Sequence, residues 1–460
     1  MKLDDFLKLL FEKAKAAGLS EFDAMYCEGE NFRVSAFEGE LDGYHVNASQ
    51  GLSFRALCGE TMGYAYTETL DEEAAGMLVR MAMDNAALVE PKDPQFIYGG
   101  GGIYPASDGM NPALEAVSVQ EKIDAVLKLE QAVKEADPRV KTVLQCVLAS
   151  GSGYVRLVNS KGVDCAYRDN LMYSYTAAAV EDGDRSVDGF DIACTREPGG
   201  LDMERLARSA VDKALARCGA RTVSSGQYPV ILEHGAAADL LECFCGMFCA
   251  DNAQKGYSRL AGREGEAIAS DKVTLMDDPT LACLSAEAAK AARGFAGQPF
   301  DGEGVPARAK AVIEKGRLAT LLHNLTTAAK AGTQSTGNAS RGSYKSTVGV
   351  APTNLYILPG EDSLETMMRK MGDGLVIDDL SGLHAGANGV SGDFSLLAQG
   401  YQVKEGKRTG AVEQITVAGN FYELLNRIVS VGSDLTFGLP GSSCVGSPSL
   451  WIQSLDIAGE

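Results

Sequence analysis

A chain of 460 residues is too long for one ordinary core, so two domains are expected, and 45% hydrophobic with 23% charged residues is the composition of a globular protein. No apolar run approaches the roughly 20 residues of a membrane-spanning helix, which argues against a membrane protein. The 62 acidic residues outnumber 42 basic ones for a formal charge of −20, and without a basic run or patch, direct nucleic-acid binding is disfavoured.

The opening stretch, MKLDDFLKLLFEKAKAAGLS, repeats Phe6, Leu9, Leu10 and Ala14 at helical spacing, with Gly18 as C-cap. This predicts an amphipathic helix, not a secretory leader, and a cytoplasmic chain. A meander follows, in which Gly39, Gly43, Gly51, Gly59 and Gly63 read as turns between antiparallel strands. Thr69 and Glu72 suggest a capping box for a helix to about Leu88, with Pro91 and Pro94 beyond it. FIYGGGGIYPASDGMNP is a loop; it lacks the Lys-Ser/Thr and the strand-loop-helix frame of a phosphate cradle. A helix stopping at Pro138, a second meander and a helix from about Leu201 to Arg217 complete this half.

Helix, strands and helix thus occur twice, and VNASQGLSFRA around Gly51 echoes LVNSKGVDCAY around Gly162. The expected fold class is α+β: an N-terminal α+β domain (1–220), read as an internal duplication, and a β-rich C-terminal domain (221–460). In the second half, YPVILE reads as a strand leading into a helix that contains Glu242. Strand-like segments follow, interrupted by helices in SLETMMRKMGDG and NFYELLNRIVSVGSDL.

The chemistry is sparse. DLLECFCGMFC sets Glu242 in an apolar, cysteine-dotted helix, which reads as a costly buried carboxylate. Cys245 and Cys249 would share a helix face while Cys243 points away, too few thiolates for a closed zinc site. The eleven cysteines read by default as reduced, buried thiols, and Cys444, in the Gly/Ser-rich PGSSCVGSP, as the best candidate for an exposed reactive one. The four histidines (His45, His234, His323, His384) form no His-Glu-x-x-His, and His234 reads as a polar residue at a helix start. The pairs Asp277-Asp278, Glu361-Asp362 and Asp378-Asp379 adjoin turns or a helix start, where carboxylates cap helices or face water.

The ordered series GEAIASDKVTLMDDPT, FDGEGVPARAKAVIEKGRLATLLHN, APTNLYILPGEDSLETMM, SGDFSLLAQGYQVKEGK, ITVAGNFYELLNRIVSVGSDL and PSLWIQSLDIAG resembles the PmbA/TldD family, in its PmbA (TldE) branch. The resemblance extends over nearly the whole chain. It implies a cytoplasmic metalloprotease built from paired TldD- and TldE-type subunits that degrades or processes small and unfolded polypeptides. In the TldD branch a His-Glu-x-x-x-His helix binds zinc. Counted back from Lys255-Gly256, that motif falls on Leu241 to Gly246: Leu241 and Gly246 replace the histidines, Glu242 is retained, and Asp251 falls in place. In that motif the Glu works by taking a proton from the metal-bound water. The resemblance therefore implies no metal or cofactor in this chain, zinc in a TldD-type paralogue as partner, and a heterodimer with it or a homodimer. The alternatives are an autonomous metallopeptidase with other ligands, such as His234 with nearby cysteines, and a protein-level regulator of DNA gyrase.

Overall fold

The structure, a computed structural model, describes residues 1–90, 92–106, 109–281, 295–438, 441 and 443–460. Pro91 and Ser442 lie outside the described residues. The fold is α+β, with an antiparallel N-terminal sheet and a β-rich C-terminal region.

Six strands form the first sheet, in the spatial order Thr61–Thr67, Glu40–Cys58, Phe22–Phe37, Val140–Asn159, Asp164–Asp182, Arg185–Thr195. Two three-stranded meanders thus meet along their first strands, paired antiparallel from Asp23↔Asn159 to Ser35↔Val147. Each meander is flanked by helices, so the helix-meander-helix order occurs twice along this half. Alternation along Phe22–Phe37 turns Phe22, Ala24, Tyr26, Phe32 and Val34 to one face, where the helices pack. Leu3–Ala16 and Glu72–Leu88 cover one end through Phe6, Leu10 and Leu78; Val119–Ala136 and Met203–Ala216 cover the other through Leu129 and Val211.

Several local readings are corrected. Gly39 and Gly59 do make turns, with φ of 84° and 65°, but Gly43, Gly51 and Gly63 lie inside strands. There a missing side chain permits close approach: a Cβ on Gly51 would stand 2.3 Å from the Tyr344 ring, and one on Gly63 1.8 Å from the Ala82 carbonyl oxygen. Because Gly51 is mid-strand and Gly162 sits in a turn, their sequence echo does not mark equivalent positions. The helix after the first meander is capped not by Thr69 but by Asp71, whose carboxylate accepts the Ala74 N–H at 2.8 Å.

In the second half, Lys407–Asn420, Asp393–Lys404, Gly374–Ser381, Gly226–Leu232 and Leu450–Ala458 pair in that order. A further pairing, Thr416↔Ala458 to Ala418↔Asp456, closes these strands on themselves. Ile428–Val431 adds to Leu450–Ala458, so the helix expected in NFYELLNRIVSVGSDL is confined to Phe421–Asn426. A second sheet runs Arg317–Leu318, Lys310–Glu314, Leu275–Asp277, Asn354–Ile357, Cys444–Ser447, Thr436–Phe437. The helix His234–Phe244 packs against Gly374–Ser381 of one sheet and Cys444–Ser447 of the other, inside the largest apolar core.

Candidate functional site

Ala236, Ala237, Leu240, Leu241 and Phe244 give the helix His234–Phe244 a buried stripe at three- and four-residue spacing, and Phe244 stacks on Phe421 with ring centroids 4.7 Å apart. Glu242 falls outside that stripe. Contrary to the expectation of a buried carboxylate, its side chain is exposed, although enough protein surrounds it to raise its pKa. Asp239, one turn back, is raised to about 6 by burial and by the charges of Glu242 and Asp379.

The helix ends at Phe244, and the chain tightens into a 3-10 turn, Cys245–Phe248, before the short helix Ala250–Gln254. Cys245 and Cys249 therefore do not share a helix face: Cys249 lies beyond the turn, in extended backbone (φ −82°, ψ 125°), 2% exposed. The sequence spacing fitted one continuous helix, and Gly246 sits where that helix fails. Cys243 Sγ lies 3.7 Å from the Leu383 carbonyl oxygen. Leu241, which the resemblance sets at the first histidine position, is 2% exposed within the core, and Gly246, which it sets at the second, offers only its carbonyl, which accepts from Asn252 Nδ2 at 2.9 Å. Asp251 pairs with Lys255 at 3.4 Å, one helical turn on.

These residues do not fit Zn²⁺. Leu241 and Gly246 have no donor side chain, and burial, aided by the charge of Glu242, pushes the Cys245 thiol up to about 12, where it stays protonated. Among the described residues no three His, Cys, Asp or Glu side chains come together as a metal-holding group.

Cys444 is not an exposed loop thiol. It begins the strand Cys444–Ser447, which pairs in parallel with Asn354–Ile357 beneath the Glu242 helix, and is 0% exposed. Burial and the charge of Glu242 raise its thiol to about 11, the Phe295 backbone and Arg196 partly opposing. The Gly/Ser-rich composition suggested a loop, but glycine here admits the Phe437 ring against Gly446. The fold thus brings Cys444 beside the Glu242 helix, a relation that sequence register did not supply.

His234 does open the helix; burial lowers its pKa, and among the described residues its buried Nδ1 has no hydrogen-bond partner. His323 is buried, its Nδ1 3.3 Å from Thr327 Oγ1. The carboxylate pairs divide. Asp362 holds Lys370 at 2.7 Å and Asp378 faces Arg217 at 3.6 Å. Asp277, expected at a turn facing water, is 0% exposed and accepts from Thr353 N (2.6 Å) and Asn338 Nδ2 (2.7 Å), with Lys310 at 2.9 Å.

A cluster without any sequence signal joins the halves. The side chains of Asp23, Arg55, Glu303 and Arg341 are each at most 4% exposed, from positions up to 318 residues apart. Arg55 Nε donates to both Asp23 oxygens at 3.2 and 3.0 Å, and Arg55 Nη1 lies 3.5 Å from Glu303 Oε1. Nearby, Asp301 accepts the N–H groups of Glu303, Val305 and Ala339, yet burial and the Glu303 charge raise it to about 7.

Against known proteins, the PmbA/TldA metallopeptidase models match as domain 1 at residues 22–86, the central domain at 112–217 and the C-terminal domain at 225–459. Metalloprotease PmbA of Escherichia coli O157:H7 is 28% identical over 93% of this chain and 90% of its own length. A Metalloprotease TldD homolog of Buchnera aphidicola is 26% identical over 95% and 92%. A Thermotoga maritima crystal structure, described as a candidate modulator of a DNA gyrase, superposes with a TM-score of 0.90 at 32% identity, covering 99% of this chain and all of that one. The TldE structure of Thermococcus kodakarensis shares the fold, with a TM-score of 0.87 at 23% identity over 99% of this chain and 100% of that one. The chain belongs to the PmbA/TldD metallopeptidase family.

Proposed function

We propose that this chain is the non-catalytic subunit of a cytoplasmic two-subunit peptidase, paired with a zinc-bearing TldD-type paralogue that supplies the hydrolytic centre for small or unfolded polypeptides. One observation carries the reading. At the positions of the two motif histidines stand a core leucine, Leu241, and a glycine, Gly246, while the glutamate between them, Glu242, remains exposed. A carboxylate placed for a metal-bound water, in a donor set that does not fit the metal, suits a subunit whose catalytic counterpart sits on another chain.

Co-expression with a family paralogue that carries an intact His-Glu-x-x-x-His is the test. A 1:1 complex with peptidase activity, lost when the paralogue's histidines are replaced and kept with Glu242→Gln here, supports the reading; failure of the chains to associate, or activity that depends on Glu242, sinks it. A second reading, regulation of DNA gyrase, draws on the description of the Thermotoga relative. At a formal charge of −20 it would act through protein contacts, and capture of purified gyrase subunits is the discriminating measurement.

A further inference from the structure

The capping box of Ser118 and Glu121 fixes the first turn of the helix Val119–Ala136, where Val119 and Lys122, three residues apart, share a face. A groove of about 950 Å³ opens where this turn meets the first sheet, and every residue lining it falls between Glu28 and Leu171. Lys122 is half-buried there. Its Nζ donates to Ser150 Oγ at 2.9 Å and stands 4.9 Å from the centre of the Phe32 ring. Among the described residues no carboxylate pairs with it, and burial lowers its pKa. One neutral acceptor and one ring face leave an ammonium with three donors short of partners, and a charge withdrawn from water without a counter-charge is costly.

The wall around this ammonium is apolar and open. Phe32 pairs across the strands with Val46 and meets Tyr44 edge-on, ring centroids 5.5 Å apart. Tyr44, Val46 and Val119 are all exposed and all line the groove. The outer strand Thr61–Thr67 pairs only with Leu52–Cys58, so among the described residues no strand lies outside Tyr44 and Val46. Three exposed apolar side chains gathered round one unpaired cation form a patch that a ligand with both features would cover.

The remaining charges limit that ligand's own. Glu28 is taken by Arg168 at 3.4 Å and accepts the Tyr26 hydroxyl at 2.8 Å, while Glu30 and Glu115 also line the groove. Carboxylates thus outnumber cations, which disfavours a dianion and leaves room for one negative charge placed at Lys122.

We propose that the groove binds a small monocarboxylic acid with an apolar body, the carboxylate accepting from Lys122 Nζ and the body lying on Phe32, Tyr44, Val46 and Val119. The site is on the sheet face opposite Met25 and Cys27, which meet the C-terminal half, and it does not depend on the peptidase reading.

Calorimetry on the full-length chain tests it, with 3-phenylpropionate, its uncharged analogue 3-phenylpropanol and the dianion 3-phenylpropyl phosphate as probes. Saturable binding of the carboxylate is expected, with the alcohol weaker by roughly tenfold or more and the phosphate no tighter than the carboxylate. Lys122→Met, which keeps an unbranched apolar stem, should reduce the carboxylate to the affinity of the alcohol and leave the alcohol unchanged. Val46→Thr should weaken both alike. Lysine acylation followed by peptide mass spectrometry is a second readout on the unsubstituted protein, and it stands even where Lys122→Met fails to fold. Modification of Lys122 should be slowed by the carboxylate and not by the alcohol. Equal affinity for acid and alcohol, tighter binding of the phosphate, carboxylate binding that survives Lys122→Met, or no saturable binding at millimolar concentration would each overturn the proposal.

Discussion

Arg341 Nη2 lies 2.9 and 3.1 Å from the two carboxylate oxygens of Asp23, binding the C-terminal half of the chain to the N-terminal sheet. Arg55 takes the same carboxylate, so one buried anion faces two buried guanidiniums. Burial pushes the Asp23 pKa up, but the charges and hydrogen bonds of Arg341 and Arg55 outweigh it and hold the group below its ordinary 3.8. Removing one partner of a buried pair costs about 3–5 kcal/mol because the remaining charge is stranded. Asp23→Asn is therefore expected to lower unfolding stability by about that amount in urea titration; a loss below about 1 kcal/mol would refute the assignment. For a lowered carboxylate the stabilisation is present above the unfolded value of 3.8 and is lost as pH falls through the still lower folded value.

Asp239 has the opposite sign. Its folded pKa of about 6 exceeds the ordinary 3.8, first because of burial and then because of Glu242 and Asp379. The folded state therefore holds the proton more tightly, so the contribution to stability is fully present below 3.8 and is lost as pH rises through about 6. Asp239→Asn removes the carboxylate that must ionise. The variant should match the wild type near pH 4 and exceed it at pH 8 by about 1 kcal/mol, discounted for partial exposure. Denaturation at both pH values checks this, and a difference independent of pH would count against it.

The sequence carried the order of the elements because alternation and helical spacing are local. The helix-strands-helix order that it showed twice returns as two meanders joined by the pairing of Phe22–Phe37 with Val140–Asn159. Gly51 and Gly63 misled because glycine serves both turns and close contacts, and only the tertiary partners, Tyr344 and Ala82, distinguish them. At the candidate site, the exposure of Glu242, one of the residues that register against Lys255-Gly256 singles out, was misjudged. Glu242 lies off the stripe formed by Leu240, Leu241 and Phe244, and the helix stops before Cys245. The Asp23, Arg55, Glu303 and Arg341 cluster was invisible because its members are far apart in sequence and brought together only by packing.

Gly63 provides a sharp test of the close approach between strand and helix. A Cβ there would lie 1.8 Å from the Ala82 carbonyl oxygen and 3.0 Å from the Ala86 methyl, in the middle of Glu72–Leu88. Backbone cannot rotate aside as a side-chain tip can, so the helix must shift away from the sheet. Gly63→Ala should cost at least the 1–3 kcal/mol typical of overpacking, whereas Gly99→Ala, with open space around its Cβ, should cost roughly a few tenths. Similar melting temperatures for the two variants would contradict the packing described.

Thiol reactivity tests the position of Cys444 beneath the Glu242 helix. The strand buries it completely, its backbone N–H is held by the Thr353 carbonyl at 2.8 Å, and burial with the Glu242 charge raises its thiol to about 11. At pH 7 very little thiolate exists to attack an alkylating reagent, and the reagent cannot reach it without local unfolding. Native-state alkylation followed by peptide mass spectrometry should modify the partly exposed Cys58 and Cys243 well before Cys444. In denaturant all three should react at similar rates. Early modification of Cys444 in the native protein would show that its strand opens readily, and would return it to the list of candidate nucleophiles.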